Sequence, residues 1–174
     1  MELRKILNKR LTKEDLYKMI CLMQGGCGDP HKKLLYKLIN DTEERISYNA
    51  LWIFTHFSAT DNKWLYKKKN DLINKAMITP HKGKLRLLLT LLQKQPITRN
   101  DLRTDYRNFD LTQINSTEPY AIRSLCIKQA YAQCRFYPEL LTEFKNQIDI
   151  MKDNKMSPGM RATLKNIINQ LSQS

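Results

Sequence analysis

Cys21, Cys27 and His31 stand in Cys-x5-Cys-x3-His spacing across a glycine-rich turn, the first place in the chain where metal or thiol chemistry is conceivable. A structural zinc site takes tighter cysteine pairs and a fourth ligand. His56, His81, Cys126 and Cys134 do not evidently converge on it, so no metal and no cofactor is expected. Cys21 lies among Leu16, Ile20 and Met23 and reads as a buried structural thiol. Cys27 and His31, four positions apart near a helix start, could pair as nucleophile and base. They lack a third orienting group and oxyanion donors, so no catalytic residue is assigned. The turn Gly25-Gly26-Cys27-Gly28-Asp29-Pro30 lacks the Gly-Lys-Ser/Thr ending of a phosphate-binding loop, and no strand precedes it. Its expected work is to reverse the chain: glycine supplies positive φ, Asp29 caps and Pro30 opens the next helix. Glu43 with Glu44, and Asp101 with Asp105, read as helix-start acids that favour the macrodipole.

The sharper lead is cationic. Residues 63–86 carry Lys63, Lys67, Lys68, Lys69, Lys75, Lys82, Lys84 and Arg86 against Asp71 alone. On an expected helix over 61–77, Lys63 and Lys67 are four apart and Asn70 and Asn74 continue their stripe. On an expected helix over 98–114, Arg99, Arg103 and Arg107 recur at i, i+4 and i+8, again one face. Lys63, Lys67, Lys68, Arg99, Arg103 and Arg107 are therefore the candidate residues for binding a polyanion or a macromolecular partner. The alternative is that such stripes are solvated helix faces. Glu139, Glu143, Asp149 and Asp153 break the trend toward the end of the chain.

The elements that must position these residues show themselves through punctuation. Thr79-Pro80, Glu118-Pro119 and Ser157-Pro158 place proline at intervals of 39 residues, twice in succession. Thr or Ser within two residues before each proline can cap orphan amides, and proline tolerates the first turn. One period earlier, Asn40 or Asp41 can cap a helix at Asp41-Thr42. Arg45, Arg86, Arg123 and Arg161 follow these starts in a looser register, a drift that small insertions in the turns would explain. Apolar faces follow each arginine: Ala50, Leu51, Phe54 and Phe57; Leu88, Leu89 and Leu92; Leu125, Ile127, Ala130 and Tyr131; Leu164, Ile167, Ile168 and Leu171. Partner helices are expected over 61–77, 98–114 with a Thr98/Asp101 capping box, and 138–151. A front pair spans 12–23 and 30–39, with 2–9 as a further short helix.

Such a period, with two helices per unit, is the mark of an α-solenoid, in which no unit buries its apolar face alone. The segment Glu118-Pro-Tyr-Ala-Ile-Arg123-Ser-Leu-Cys-Ile-Lys-Gln-Ala130, followed by Tyr137-Pro-Glu-Leu-Leu141, resembles a unit of the HEAT/armadillo superfamily. The resemblance implies an all-α, right-handed α-α superhelix of about four helix pairs and nine to ten helices. A single domain over 1–174 is expected: an N-terminal pair in 1–40, repeats at 41–78, 79–117 and 118–156, and a capping helix at 157–174. A non-repetitive helical bundle is the structural alternative. The resemblance further implies that the repeat arginines tie neighbouring units together, and that second helices line a concave face. It also implies a non-enzymatic interaction module whose partner is a protein or peptide. The competing reading is nucleic-acid binding through basic inner helices. A minor branch of that reading is a glycosylase like the DNA alkylation repair enzymes, which needs a carboxylate and aromatics together; only Asp61 with Trp64 comes near. Trp52, Trp64, Tyr48 and Tyr131 fall at helical spacing with Leu and Ile and read mainly as core.

Bulk properties bound these readings. The 174 residues carry a formal charge of +13, from 30 Lys and Arg against 17 Asp and Glu, which favours polyanionic or acidic partners without specifying a site. Five glycines and no sustained alternation argue against sandwiches, barrels and doubly wound sheets. No apolar run approaches a bilayer span, and the start lacks a signal-peptide core and cleavage site. Four sparse cysteines fit free thiols in a reducing cytoplasm.

Overall fold

The computed structural model describes residues 3–24, 28–151 and 156–172, and among them every regular element is helical. In chain order these are α1 (Leu3–Leu7), α2 (Lys13–Gln24), α3 (Gly28–Leu38), α4 (Glu44–Thr55), α5 (Ala59–Asn62), α6 (Lys69–Ile78), α7 (Lys82–Gln93), α8 (Thr104–Ile114), α9 (Tyr120–Cys134), α10 (Pro138–Met151) and α11 (Pro158–Ser172). A 3-10 turn, Lys63–Lys68, joins α5 to α6, and a second, Arg99–Asp101, precedes α8. Gly25, Gly26 and Cys27, on which the expected turn and thiol–imidazole pair rest, lie outside the described residues, as does the Asp29 side chain. Gly28 already belongs to α3, so that helix begins two residues before Pro30.

The repeat is stricter in the structure than in its punctuation. The helices α4, α7, α9 and α11 begin at Glu44, Lys82, Tyr120 and Pro158, which are evenly spaced along the chain. Proline slides by one place per unit against these starts: Pro80 precedes the N-cap His81, Pro119 is the N-cap, and Pro158 is the first helical residue. That slide makes the proline spacing one residue longer than the helix period. The arginines drift because they occupy different places within their helices, Arg45 second and Arg86 fifth, and not because the turns carry insertions. The caps differ accordingly. His81 Nδ1 accepts from the Lys84 amide at 3.0 Å, and Ser157 Oγ accepts from the Met160 amide at 3.2 Å. Asp41 accepts from the Glu43 amide at 2.9 Å, one residue outside α4.

A chain this poor in glycine has few residues suited to left-handed helix ends, and no described residue has positive φ. Carbonyls at helix C-termini are met by the backbone N–H groups that follow, as at His56 and Lys94, and at several ends also by side chains from elsewhere. Asn49 Nδ2 donates to the Leu7 and Lys9 carbonyls at 2.8 and 3.0 Å, closing the end of α1. Asn62 Nδ2 does the same for Phe54 and Phe57 at the end of α4, at 3.2 and 3.4 Å. Arg123 Nε donates to Ile114 at the end of α8 at 2.8 Å, and Arg99 Nη2 to Phe136 just past α9 at 3.1 Å. Arg123 thus ties successive helices as the resemblance implied, whereas Arg45, Arg86 and Arg161 are exposed.

The chain forms two compact units, Met1–Asn70 and Asp71–Ser174. In the first, α4 packs against α1, α2 and α3. Its apolar stripe of Ile46, Ala50, Leu51, Ile53 and Phe54 is essentially solvent-free, since residues at i, i+4 and i+7 share a helix face. Phe54 stacks parallel to Trp64 at 6.4 Å and meets Tyr36 and Phe57 edge-on at 6.2 and 5.3 Å. In the second unit α9 is central, packed against α7, α8, α10 and α11. Ile122, Cys126, Ile127 and Ala130 are buried there, with Phe144 and Ile148 of α10 and Leu164 and Ile167 of α11.

Candidate functional site

The lysines and arginines singled out as binding residues meet different local structures. Ser58, and not Asp61, caps the helical segment over 59–78: its Oγ accepts from the Asp61 amide at 3.1 Å. The segment then tightens into the Lys63–Lys68 3-10 turn. At three residues per turn, positions four apart diverge by roughly 120°, so Lys63 and Lys67 do not form a single α-helical stripe. They remain exposed, with Lys68 beside them, its Nζ 5.8 Å from the Tyr36 ring centroid. The nearby acids are taken: Asp61 pairs with Lys32 at 2.8 Å and Asp71 with Lys75 at 2.7 Å. Among the described residues Lys63, Lys67 and Lys68 form no salt bridge.

The arginine stripe is overturned. A helix does not run through 98–114: after the 3-10 turn the backbone is extended at Leu102 (φ −65°, ψ 131°) and Arg103 (φ −130°, ψ 117°), and α8 restarts at Thr104. Arg99, Arg103 and Arg107 therefore share no helix face. Asp101 Oδ2 accepts from the Thr98 amide and hydroxyl, both at 2.7 Å, which completes one turn and leaves the chain to start again at Thr104-Asp105. Arg99 holds the Phe136 carbonyl and lies over the Tyr137 ring at 5.1 Å. Arg103 is forked onto Asp105 at 3.1 and 2.5 Å and keeps that carboxyl below its ordinary range. Arg107 is half-buried, and its Nε has no partner among the described residues. All three arginines are set into the local structure of the second unit.

Asp61 and Trp64 do not form a carboxylate–aromatic site. Lys32 and Ser58 hold Asp61 ionised, below its ordinary pKa, and Trp64 is packed against Phe54 and Tyr36. Cys21 is exposed on α2, contrary to the buried reading, because its position lies on the side of the helix opposite the one face marked by buried Leu16, Met19 and Met23. Cys126 and Cys134 are buried. Burial pushes the Cys126 thiol well up and that of Cys134 to about 11, so both stay protonated. No group of three or more His, Cys, Asp or Glu among the described residues is placed to hold a metal ion.

Two features escaped the sequence reading. The first is a cavity of about 500 Å³ in the first unit, lined by Lys9, Arg10 and Leu11 of the α1–α2 connection and by Arg45, Tyr48, Asn49 and Trp52 of α4. The α4 residues recur at i, i+3, i+4 and i+7, a one-face pattern that was available in the sequence. The second is a polar cluster inside the second unit. Asp110 is fully buried and accepts from Gln133 Nε2 at 3.0 Å, and its second oxygen has no described partner. Tyr106 Oη and Gln133 Oε1 are likewise buried without one. Burial raises the Asp110 carboxyl well above its ordinary value, with Cys126 and Gln133 opposing through hydrogen bonds.

An all-helical chain of helix pairs with a fixed residue period defines a helical-repeat protein. A family model, the HEAT repeat domain, matches residues 3–171, and the chain belongs to that family. Neither the curated proteins nor the solved structures provide a match. Members of a HEAT repeat family serve in general as protein-interaction modules. No helix among the described residues is long and apolar enough to cross a membrane.

Proposed function

We propose that this protein is a non-enzymatic interaction module whose partner is an acidic protein segment, docked on the exposed lysines of the 59–78 helical segment. One observation carries the reading. Lys63, Lys67 and Lys68 are exposed within six residues while the neighbouring carboxylates, Asp61 and Asp71, are committed to Lys32 and Lys75. The local cationic charge is therefore uncompensated, as an acidic partner requires, and the chain's net charge of +13 adds long-range steering. HEAT membership supports a protein partner at the level of the family alone.

The test is fluorescence anisotropy of a labelled short acidic peptide, run beside a random-sequence DNA duplex, across a range of salt. The peptide is expected to bind, to weaken steeply with salt, and to lose about tenfold or more in affinity on combined Lys63→Glu, Lys67→Glu and Lys68→Glu substitution. Tighter binding of the duplex at matched salt replaces the reading with the nucleic-acid one. Binding of neither at low salt, or peptide binding untouched by the substitutions, overturns it.

A further inference from the structure

The cavity on α4 is a different surface from the lysine segment, and its lining is chemically specific. We infer that it is a binding site for a nucleoside phosphate: a planar base against Tyr48 and Trp52, and phosphate against Arg10 and Arg45 with Lys9 beside them.

The lining holds three cations and no carboxylate. Lys9 is partly compensated by Asp15 at 3.7 Å, itself held by the Thr12 amide. Arg10 and Arg45 are exposed and form no salt bridge among the described residues. Arg45 is the second residue of α4, where a cation is disfavoured by the helix dipole, so its place is not explained by helix stability. Guanidinium groups match phosphate oxygens two at a time, which favours phosphate over a lone carboxylate.

Tyr48 and Trp52 stand one helical turn apart and are half-exposed beside these cations. Aromatic faces next to guanidinium groups are the arrangement that stacks bases while holding their phosphates. Trp52 is braced by His56, ring to ring at 5.2 Å and nearly perpendicular. The cleft, about 500 Å³ and open to solvent along one side, is larger than an inorganic phosphate needs and leaves room for a base beside it. Its floor is fixed, because buried Asn49 ties the connection carrying Lys9, Arg10 and Leu11 to α4. A free nucleotide and one unit of a single strand share this chemistry, and the test separates them.

Trp52 is its own reporter. In a Trp64→Phe background it is the only tryptophan, and stacking by a base quenches its emission. The full chain is titrated with AMP, ATP, inorganic phosphate, a short single-stranded oligonucleotide and a phosphotyrosine peptide. The inference expects saturable quenching by AMP and ATP, with inorganic phosphate at least about tenfold weaker. Arg45→Glu is expected to weaken nucleotide binding about tenfold or more, although Glu at that position favours the helix dipole and so leaves the fold intact. Comparable affinity for AMP and the oligonucleotide identifies a free-nucleotide site, and much tighter oligonucleotide binding identifies a strand site. No saturable quenching at millimolar nucleotide, equal affinity for phosphate and AMP, or stronger binding of the phosphotyrosine peptide overturns it. Triple Lys→Glu substitution at Lys63, Lys67 and Lys68 lowers the general attraction for anions but leaves nucleotide quenching saturable and its preference for AMP over phosphate intact, so failure here is distinct from failure of the acidic-partner reading.

Discussion

Asn49 is where one side chain controls both a helix end and the shape of a site. It is buried, 8% exposed, and its amide nitrogen donates to the carbonyls of Leu7 and Lys9 at 2.8 and 3.0 Å. Those carbonyls close α1 in place of a glycine cap. Asn49→Ala removes both donors at once. Each such hydrogen bond contributes about 0.5–1.5 kcal/mol, so the loss is about 1–3 kcal/mol, and water admitted beside Lys9 holds it toward the lower half of that range. Asn49→Asp keeps the volume but sets a carboxylate against two carbonyl oxygens, so it costs more than the alanine at neutral pH. Lowering the pH protonates the carboxyl, restores one donor and narrows the gap to alanine. Urea denaturation of the three proteins, followed by circular dichroism, reads the order wild type above Asn49→Ala above Asn49→Asp. Amide exchange over residues 8–12 reports the same loosening locally. An alanine variant with the same unfolding midpoint as wild type, or an aspartate variant as stable as the alanine, refutes the remote-capping argument.

Asp110 holds its proton in the fold more tightly than in the unfolded chain, because burial raises its pKa. Its contribution is therefore complete below the unfolded value and is lost as pH rises toward the folded one. Asp110→Asn, which mimics the protonated acid, should match wild type near pH 4 and exceed it by about 1–3 kcal/mol in alkaline solution, read as a difference between two denaturation series. A variant less stable than wild type in alkali contradicts this. Phe144, solvent-free and 6.1 Å from the Tyr131 ring, should cost about 3–5 kcal/mol on truncation to alanine, measured by urea unfolding. Ser58→Ala removes the cap on the Asp61 amide and should cost about 1 kcal/mol, with the melting temperature as readout.

The architecture was legible in the sequence because its punctuation is local. Pro158 follows a capping Ser157 and opens α11, and the Thr12–Asp15 pair bonds reciprocally at the start of α2. What stayed blurred was phase. Proline is acceptable just before, at and just after a helix N-cap, so Pro80, Pro119 and Pro158 report a start only to within a residue or two. The arginine stripe failed for a readable reason. Asp101 and Asp105 are two starts in close succession, and the first is satisfied by Thr98 before a helix can extend, leaving Leu102 and Arg103 extended. The 3-10 turn at Lys63–Lys68 had no comparable signal, because charge spacing says nothing of residues per turn. The α4 cavity was half legible: Arg45, Tyr48 and Trp52 mark one helix face, but Lys9–Leu11 are brought to it by packing and by the Asn49 bond, contacts between positions far apart in the chain.

Where an acidic partner docks decides whether the lysine segment is the working surface of this chain. Two-dimensional amide NMR of the isotope-labelled full chain, titrated with the short acidic peptide, locates that surface residue by residue. The lysine segment predicts progressive shifts concentrated at residues 63–68 that vanish with salt and with the triple lysine-to-glutamate substitution. Shifts concentrated elsewhere, or none at low salt, contradict it.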